Sequence, residues 1–402
     1  MGACCSGRSG GVLDDSLQAS SLSMSGIGRR KTSFPNLLGG MAGGNPNMAM
    51  ASKPMKANGI ARAQFILDNP GKIQKFYNLQ RKKLGEGGYG YVSQASHKAS
   101  GIQRAVKKVP KRKVENPERL LAEMSIMKHL DHPNIIKLHE TFEDKTYVYM
   151  VMELCQGGEL FDRIIEAGSF TEVQVAIIMQ QILRAVFYMH QNGIVHRDIK
   201  PENFMFGVKG KIHHIYLIDF GLSKKYWDTK HVQIRSRLSL TGTARYASIN
   251  AHKGMEQSRR DDLEAIGHML IYFIRGSLPW SGLEAKTQEE KYRKIRETKE
   301  SVPLSELCKG HPDAFKEYLR ITRDLQFKDK PEYEKLRNLF KQARAEHGPK
   351  EDNHFPWLEG KDLGTPVKLT YPELVRQPDD DGAKKKSGAC FPFCGGGNSV
   401  KD

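Results

Sequence analysis

The chain has 402 residues, 39% of them hydrophobic and 27% charged, which fits an ordinary globular protein of one large or two modest domains. Its longest apolar runs, such as "HMLIYFI" at 268–274, fall well short of the roughly 18 residues of a membrane-spanning helix, so a helical span is not expected. The net charge of +17 would suit nucleic acid, but no zinc-finger or aromatic-basic motif accompanies it; anionic membranes, acidic substrates or phosphates are the expected partners.

Residues 1–70 are rich in Gly, Ser, Met and Asn and read as a disordered tail, because no periodic apolar pattern offsets the entropy of ordering them. The tail opens "MGACCS". Gly2 with a serine at position 6 matches the N-myristoylation pattern, and Cys4 and Cys5 are placed for palmitoylation. One acyl chain binds a membrane marginally and two bind it stably. The expected location is the cytoplasmic face of a membrane, with a cytosolic pool. Of the six cysteines four lie in the tails, so a disulfide framework is not expected.

The ordered part spans residues 77–347, divided into 77–153 and 154–347. It begins with "LGEGGYGYV", which spells G-x-G-x-x-G-x-V at Gly85, Gly87, Gly90 and Val92. Glycines let a turn approach phosphates that any side chain would keep away. Two strands around the turn at 98–101 follow, not a helix, which predicts a flap over a nucleotide instead of a dinucleotide fold. Leu84, Gly85, Glu86, Gly87, Gly88, Tyr89, Gly90, Val92 and Ala105 make up the expected nucleotide cradle. Lys107 in "AVK" points inward. "RLLAEMSIMKHL" has helical spacing, with Leu120, Leu121, Met124, Met127 and Leu130 on one side. Glu123 on that helix would pair with Lys107 and hold it against the α- and β-phosphates. "YVYMVMELCQGGELFDRI" reads as a buried strand entering a hinge. There the backbone around Glu153 and Cys155 would read adenine with Met152 behind it, and Glu159 would reach a ribose or a basic side chain.

"HRDIKPEN" at 196–203 and "DFG" at 219–221 carry the chemistry. Phosphoryl transfer needs a positioned acceptor hydroxyl and neutralised phosphate charge. Asp198 would accept the hydroxyl proton, Lys200 would stabilise the γ-phosphoryl group, and Asn203 and Asp219 would hold Mg²⁺ through oxygen ligands. Residues 349–402 form a second flexible tail. Its "KKKSGACFPFC" offers Lys384–Lys386 to anionic headgroups, and Phe391, Phe393, Cys390 and Cys394 to the interface.

Over residues 77–347 the chain resembles the eukaryotic protein kinases. From "FYNLQRKKLGEGGYG" through "HRDIKPEN" it looks like the calcium-dependent protein kinases. From "IYLIDFGLSKKY" through "LTGTARYASINAHKGMEQSRRDDLEAIG" and "LCKGHPDAFKEYL" it looks like casein kinase 1, the change falling between about Asn203 and Tyr216. Ser248-Ile249-Asn250 is the casein kinase 1 form of the usual Ala-Pro-Glu. The resemblance implies an α+β, two-lobed fold, with a small antiparallel sheet and one main helix before a larger, mostly helical lobe. It implies an ATP- and Mg²⁺-dependent protein serine/threonine kinase; the alternative is a membrane-tethered pseudokinase scaffold. Asp262 matches the aspartate that braces the catalytic loop. Glu159 and Glu202 match positions that contact basic substrate residues. Arg245 and Lys291 match two members of a cluster that binds acidic or phosphorylated ones. A third member is Leu238 here, a loss that Arg235 or Arg237 is placed to offset. No EF-hand loop follows, so direct calcium binding is not expected.

Overall fold

The computed structural model describes residues 67–347 except 71, 88–89, 169, 209 and 212. The first lobe is a sheet of β1 (Leu67–Pro70), β2 (Tyr77–Gly87), β3 (Gly90–His97), β4 (Gln103–Pro110), β5 (Leu138–Glu143) and β6 (Tyr147–Met152), with α1 (Pro117–His129) between β4 and β5. The strand order is β1-β5-β6-β4-β3-β2. All neighbours run antiparallel except β1, which joins β5 in parallel. The tail expected through residue 70 thus contributes its end to the sheet. This strand was hidden in the sequence because "LDNP" is polar and ends in proline, a combination tolerated at a sheet edge. Ile73, Val106, Phe142, Tyr149 and Val151 build the core of this lobe.

Asn116 caps α1 by accepting the Arg119 N–H at 3.2 Å, and Pro117 supplies a preset first turn. The helix buries Leu120, Met124 and Met127 as expected, but Leu121 is exposed and Ile126 is buried in its place. Residue 121 sits about 100° round the helix from 120, away from the stripe that faces the sheet.

The second lobe is mostly helical: α2 (Leu160–Ala167), α3 (Glu172–Gln191), β7 (Ile194–Val195), β8 (Phe204–Phe206), β9 (Ile215–Leu217), β10 (Lys224–Lys225), α4 (Ile249–His252), α5 (Arg259–Arg275), α6 (Gln288–Ser301), α7 (Leu304–Leu307), α8 (Asp313–Asp324) and α9 (Tyr333–His347). The centre is α5, buried from Arg259 through Ile274. Its apolar second half packs on α8, where a Cβ on Gly267 would sit 2.4 Å from Leu319. Its charged first half is tolerable inside only because its groups are bonded, and those bonds reach the loops that form the site.

The lobes meet along a bonded seam. Asn134, just after α1, donates its amide to Gln181 Oε1 and to the Ile215 carbonyl, both at 2.9 Å. Gln181 Oε1 also accepts the Ile215 N–H at 3.0 Å. Backbone bonds from Leu217 to Asn134 and from Ile136 to Leu217 complete the joint. Ile215, in the stretch where the sequence changes its resemblance, is therefore a member of this seam.

Candidate active site

On the nucleotide side, β2 and β3 bring Gly87 opposite Gly90; Gly88 and Tyr89 between them lie outside the described residues. A Cβ on Gly90 would fall 2.1 Å from the Lys108 carbonyl oxygen, so the strand pairing itself demands glycine there. Gly85 differs: a Cβ would meet nothing within 4 Å, so packing does not require glycine and the space over it is open to a ligand. Leu84 is 47% exposed beside it, and Glu86 is occupied by a surface ion pair with Lys83 at 2.9 Å. Val92 lies between Gly85 and Lys107 in register, and Ala105 is buried opposite Met152. The Lys107 ammonium meets Glu123 of α1 at 2.6 Å, joining sheet and helix as the sequence suggested.

At the hinge, the Glu153 N–H is used by the Lys137 carbonyl at 2.8 Å. Among the described residues the Glu153 carbonyl and both backbone groups of Cys155 have no protein partner, the arrangement an adenine edge requires. The Glu153 carboxylate takes Lys211 at 2.8 Å, a contact the sequence did not indicate. Burial, with Glu153 adding to it, pushes the Cys155 thiol up to about 12, so it is an inert side chain here.

The catalytic loop follows β7 and is held from below by α5. Asp262 is fully buried; its Oδ2 accepts the His196 N–H at 2.7 Å and its Oδ1 accepts the Arg197 N–H at 2.8 Å. His190 also donates to it, at 2.9 Å. Burial raises this carboxyl, but the bond and charge from His190 and the neighbouring His196 outweigh it and hold Asp262 ionised. With two N–H groups pinned, Arg197 takes a left-handed φ of 68°, a strained turn that presents Asp198. The Asp198 carboxylate is then gripped on both oxygens. Oδ1 accepts Thr243 N–H at 2.9 Å and Thr243 Oγ1–H at 2.8 Å. Oδ2 faces Lys200 at 3.2 Å and Asn203 Nδ2 at 3.3 Å.

Asp219 stands across from this group, also left-handed at φ 57°, with Oδ1 accepting the Gly221 N–H at 3.2 Å. Burial raises its carboxyl, yet Lys107, the Gly221 N–H, His196 and Lys200 together hold it below its ordinary value. Phe220 is buried against the His196 ring, centroids 5.5 Å apart, and Arg119 of α1 donates to the Gly221 carbonyl at 2.8 Å. Helix, DFG segment and catalytic loop thus form one connected unit. Thr243 is the member sequence reading passed over; its partner lies 45 residues away, and no local spacing reveals that bond.

The family model for the protein kinase domain matches residues 78–336. The chain belongs to the protein kinase family. Its β-sheet first lobe and helical second lobe form the two-lobed α+β kinase fold. Protein kinases use ATP with Mg²⁺, and the residues present fit both. The unpartnered hinge backbone suits adenine, and the open face above Gly85 suits phosphates. Asn203 spends its Nδ2 on Asp198, leaving Oδ1 without a protein hydrogen bond among the described residues. That oxygen and the ionised Asp219 are a hard, oxygen-only donor set.

Of the residues expected to meet the substrate, Glu159 precedes α2 and Glu202 lies two residues after Lys200. Burial raises both carboxyls. Glu159 is raised further by Asp162 and Glu202, and Asp198 adds to the effect at Glu202. Glu202 Oε2 is buried with no hydrogen-bond partner among the described residues. Arg245 is near enough to Glu202 for each to stabilise the other's charge. Lys291 lies on the first turn of α6. Arg235 does not stand in for the basic residue missing at Leu238: both its Nε and Nη2 are bound to the buried Glu256, which Lys224 also meets at 2.9 Å. Gly2, Cys4, Cys5 and the Lys384–Lys386 segment lie outside the described residues.

Proposed function

We propose that the chain is an active protein serine/threonine kinase that transfers the γ-phosphate of ATP to protein hydroxyls. The observation that carries this reading is the Asp198 carboxylate fixed by Thr243, Asn203 and Lys200, with the Lys107–Glu123 pair closed at the same time. The acceptor oxygen attacks the γ-phosphorus, the bond to the ADP oxygen breaks, and the acceptor proton passes to Asp198. Lys200 offsets charge on the transferring group, while Lys107 holds the other phosphates. Asn203 and Asp219 would hold Mg²⁺, which when bound neutralises phosphate charge. The resemblance of the sequence to calcium-dependent protein kinases and casein kinase 1 supports Ser or Thr as acceptor.

Peptide preference follows from the charges beside the site. Glu159 is raised by burial and by Asp162 and Glu202, and a substrate Arg or Lys beside it relieves that repulsion. Arg245 is already compensated by Glu202, and Leu238 adds no charge to an anion pocket. We therefore assign a preference for basic residues before the acceptor. "MGACCS" and "KKKSGACFPFC" support attachment to the inner membrane surface, without direct calcium control.

The test is phosphate transfer by purified full-length chain with Mg-ATP to one peptide bearing Ser, Thr or Tyr, flanked by basic, acidic or phosphoserine residues. Ser and Thr in basic peptides should be modified, with activity lost in Asp219→Ala. Transfer confined to Tyr would overturn the acceptor assignment, and a preference for acidic flanks would overturn the peptide assignment. ATP binding with no transfer would leave a scaffold. Gly2→Ala should move the expressed chain from the membrane to the soluble fraction; unchanged partitioning would contradict acylation.

A further inference from the structure

Lys299, on α6, is fully buried, and no carboxylate lies within ion-pair distance among the described residues. Burial pulls its ammonium down to about 7, with Glu264 opposing and Arg323 reinforcing. A buried ammonium is costly, and a methionine would fill the same volume without that cost. What the amine does touch is specific. It donates to the carbonyls of Ala244 at 2.9 Å and Ala247 at 2.6 Å.

The two carbonyls between them are held as well. Trp280 Nε1–H donates to the Arg245 carbonyl at 2.8 Å, and His268 Nδ1 contacts the Tyr246 carbonyl at 2.8 Å. His252 Nε2 reaches Ala244 at 3.0 Å. A carbonyl only accepts, so His268 carries its proton on Nδ1, while His252 Nε2 lies between the Ala244 carbonyl and the Lys299 ammonium, 3.3 Å away. Four consecutive carbonyls, 244–247, are thus each bound by a side chain distant in sequence. The residue before them is Thr243, which grips Asp198, and one of the four carries the Arg245 side chain.

We propose that Lys299 is a positioning residue for the loop that receives the protein substrate: by binding the carbonyls at both ends of 244–247 it fixes where Thr243 stands against Asp198 and Arg245 beside Glu202. This rests on the kinase reading above for its kinetic consequence, but the geometric claim is separate from it. Lys299 touches no reacting atom and acts through the loop. Two residues beyond the run, Glu264 accepts the Ile249 N–H at 3.3 Å while facing Arg323 at 3.4 Å.

Lys299→Met keeps length and removes the donor. Hydrogen–deuterium exchange on the full chain should then speed up at 243–249 by roughly ten- to a hundredfold, the equivalent of one charged hydrogen bond, and stay unchanged at 194–199. With a Ser peptide that the wild type modifies, peptide kcat/KM should fall by a similar factor while the KM for ATP holds. Trp280→Phe, which frees the Arg245 carbonyl and keeps an aromatic ring beside Lys299 and His268, should give the same pattern about severalfold smaller. Wild-type exchange and peptide kinetics in Lys299→Met would overturn the proposal. So would equal acceleration in both loops, which would make Lys299 a general core residue. If the wild type modifies no peptide, the kinase reading fails while the exchange result still decides the role of Lys299.

Discussion

The two loops that meet at Asp198 are both anchored to the same buried region, yet by opposite chemistry. The catalytic loop is held by an acceptor: the ionised Asp262 collects N–H groups from His196 and Arg197. The substrate-side loop is held by donors, with Lys299, His252, His268 and Trp280 collecting carbonyls. An anion under a strained turn fixes one residue tightly. A row of donors under a turn, itself closed by the Tyr246 and Ala247 N–H groups on the Thr243 carbonyl, fixes several residues at once. The first arrangement suits a group that must receive a proton within hydrogen-bond reach, the second a surface along which a peptide must align. Ser248 follows the second turn and is anchored in its own way: its hydroxyl donates to Asp261 at 2.5 Å and accepts the Ala251 N–H at 3.0 Å. The Ser-Ile-Asn sequence is therefore an anchored helix start and not a damaged Ala-Pro-Glu.

The largest effect should come where the loops converge. Asp198→Asn keeps the shape and removes the base, so kcat should fall by roughly a hundred- to ten-thousandfold with ATP affinity retained. Next is the anchor beneath the catalytic loop. Asp262→Ala orphans two backbone N–H groups and His190, and should cost about 3–5 kcal/mol in denaturant unfolding. Lys299→Met leaves the Ala247 carbonyl unpaired and should cost only about 1–3 kcal/mol. Equal costs for the two variants would erase the distinction between the anchors.

Acid should weaken the donor side first. Burial, reinforced by Lys299, lowers the His252 imidazole from 6.5 to about 4. The folded protein prefers it neutral, so its contribution is complete above pH 6.5 and is lost as pH falls towards 4. His252→Gln, which can still donate to Ala244, should flatten the fall of stability in that window by up to ~1.4 kcal/mol per pH unit. An unchanged slope would show that His252 does not titrate with unfolding. The smallest effect should be at the hinge: Lys211→Met breaks a partly exposed pair with Glu153 and should cost under ~1 kcal/mol.

How legible these features were depends on how local they are. "HRDIKPEN" and "DFG" carry their geometry in short spacings, and the order of glycine loop, lysine and helical glutamate names the Lys107–Glu123 pair before any coordinate. Thr243 lies inside a conspicuous stretch, but its meaning comes from a bond across 45 residues. Lys299 is harder still, since "KYRKIRETKES" reads as a solvated helix and nothing in it marks one lysine as buried. Arg235 misleads in the other direction: its position invites an anion-binding role, and the fold commits it to Glu256.

The measurement that bears most directly on the account is transfer of labelled phosphate from Mg-ATP to a basic Ser peptide, run side by side for the wild type and Asp198→Asn, with nucleotide affinity measured on both. The account predicts equal affinity and transfer by the wild type alone. A wild type that binds ATP and transfers nothing, or an Asp198→Asn protein as active as the wild type, would contradict it.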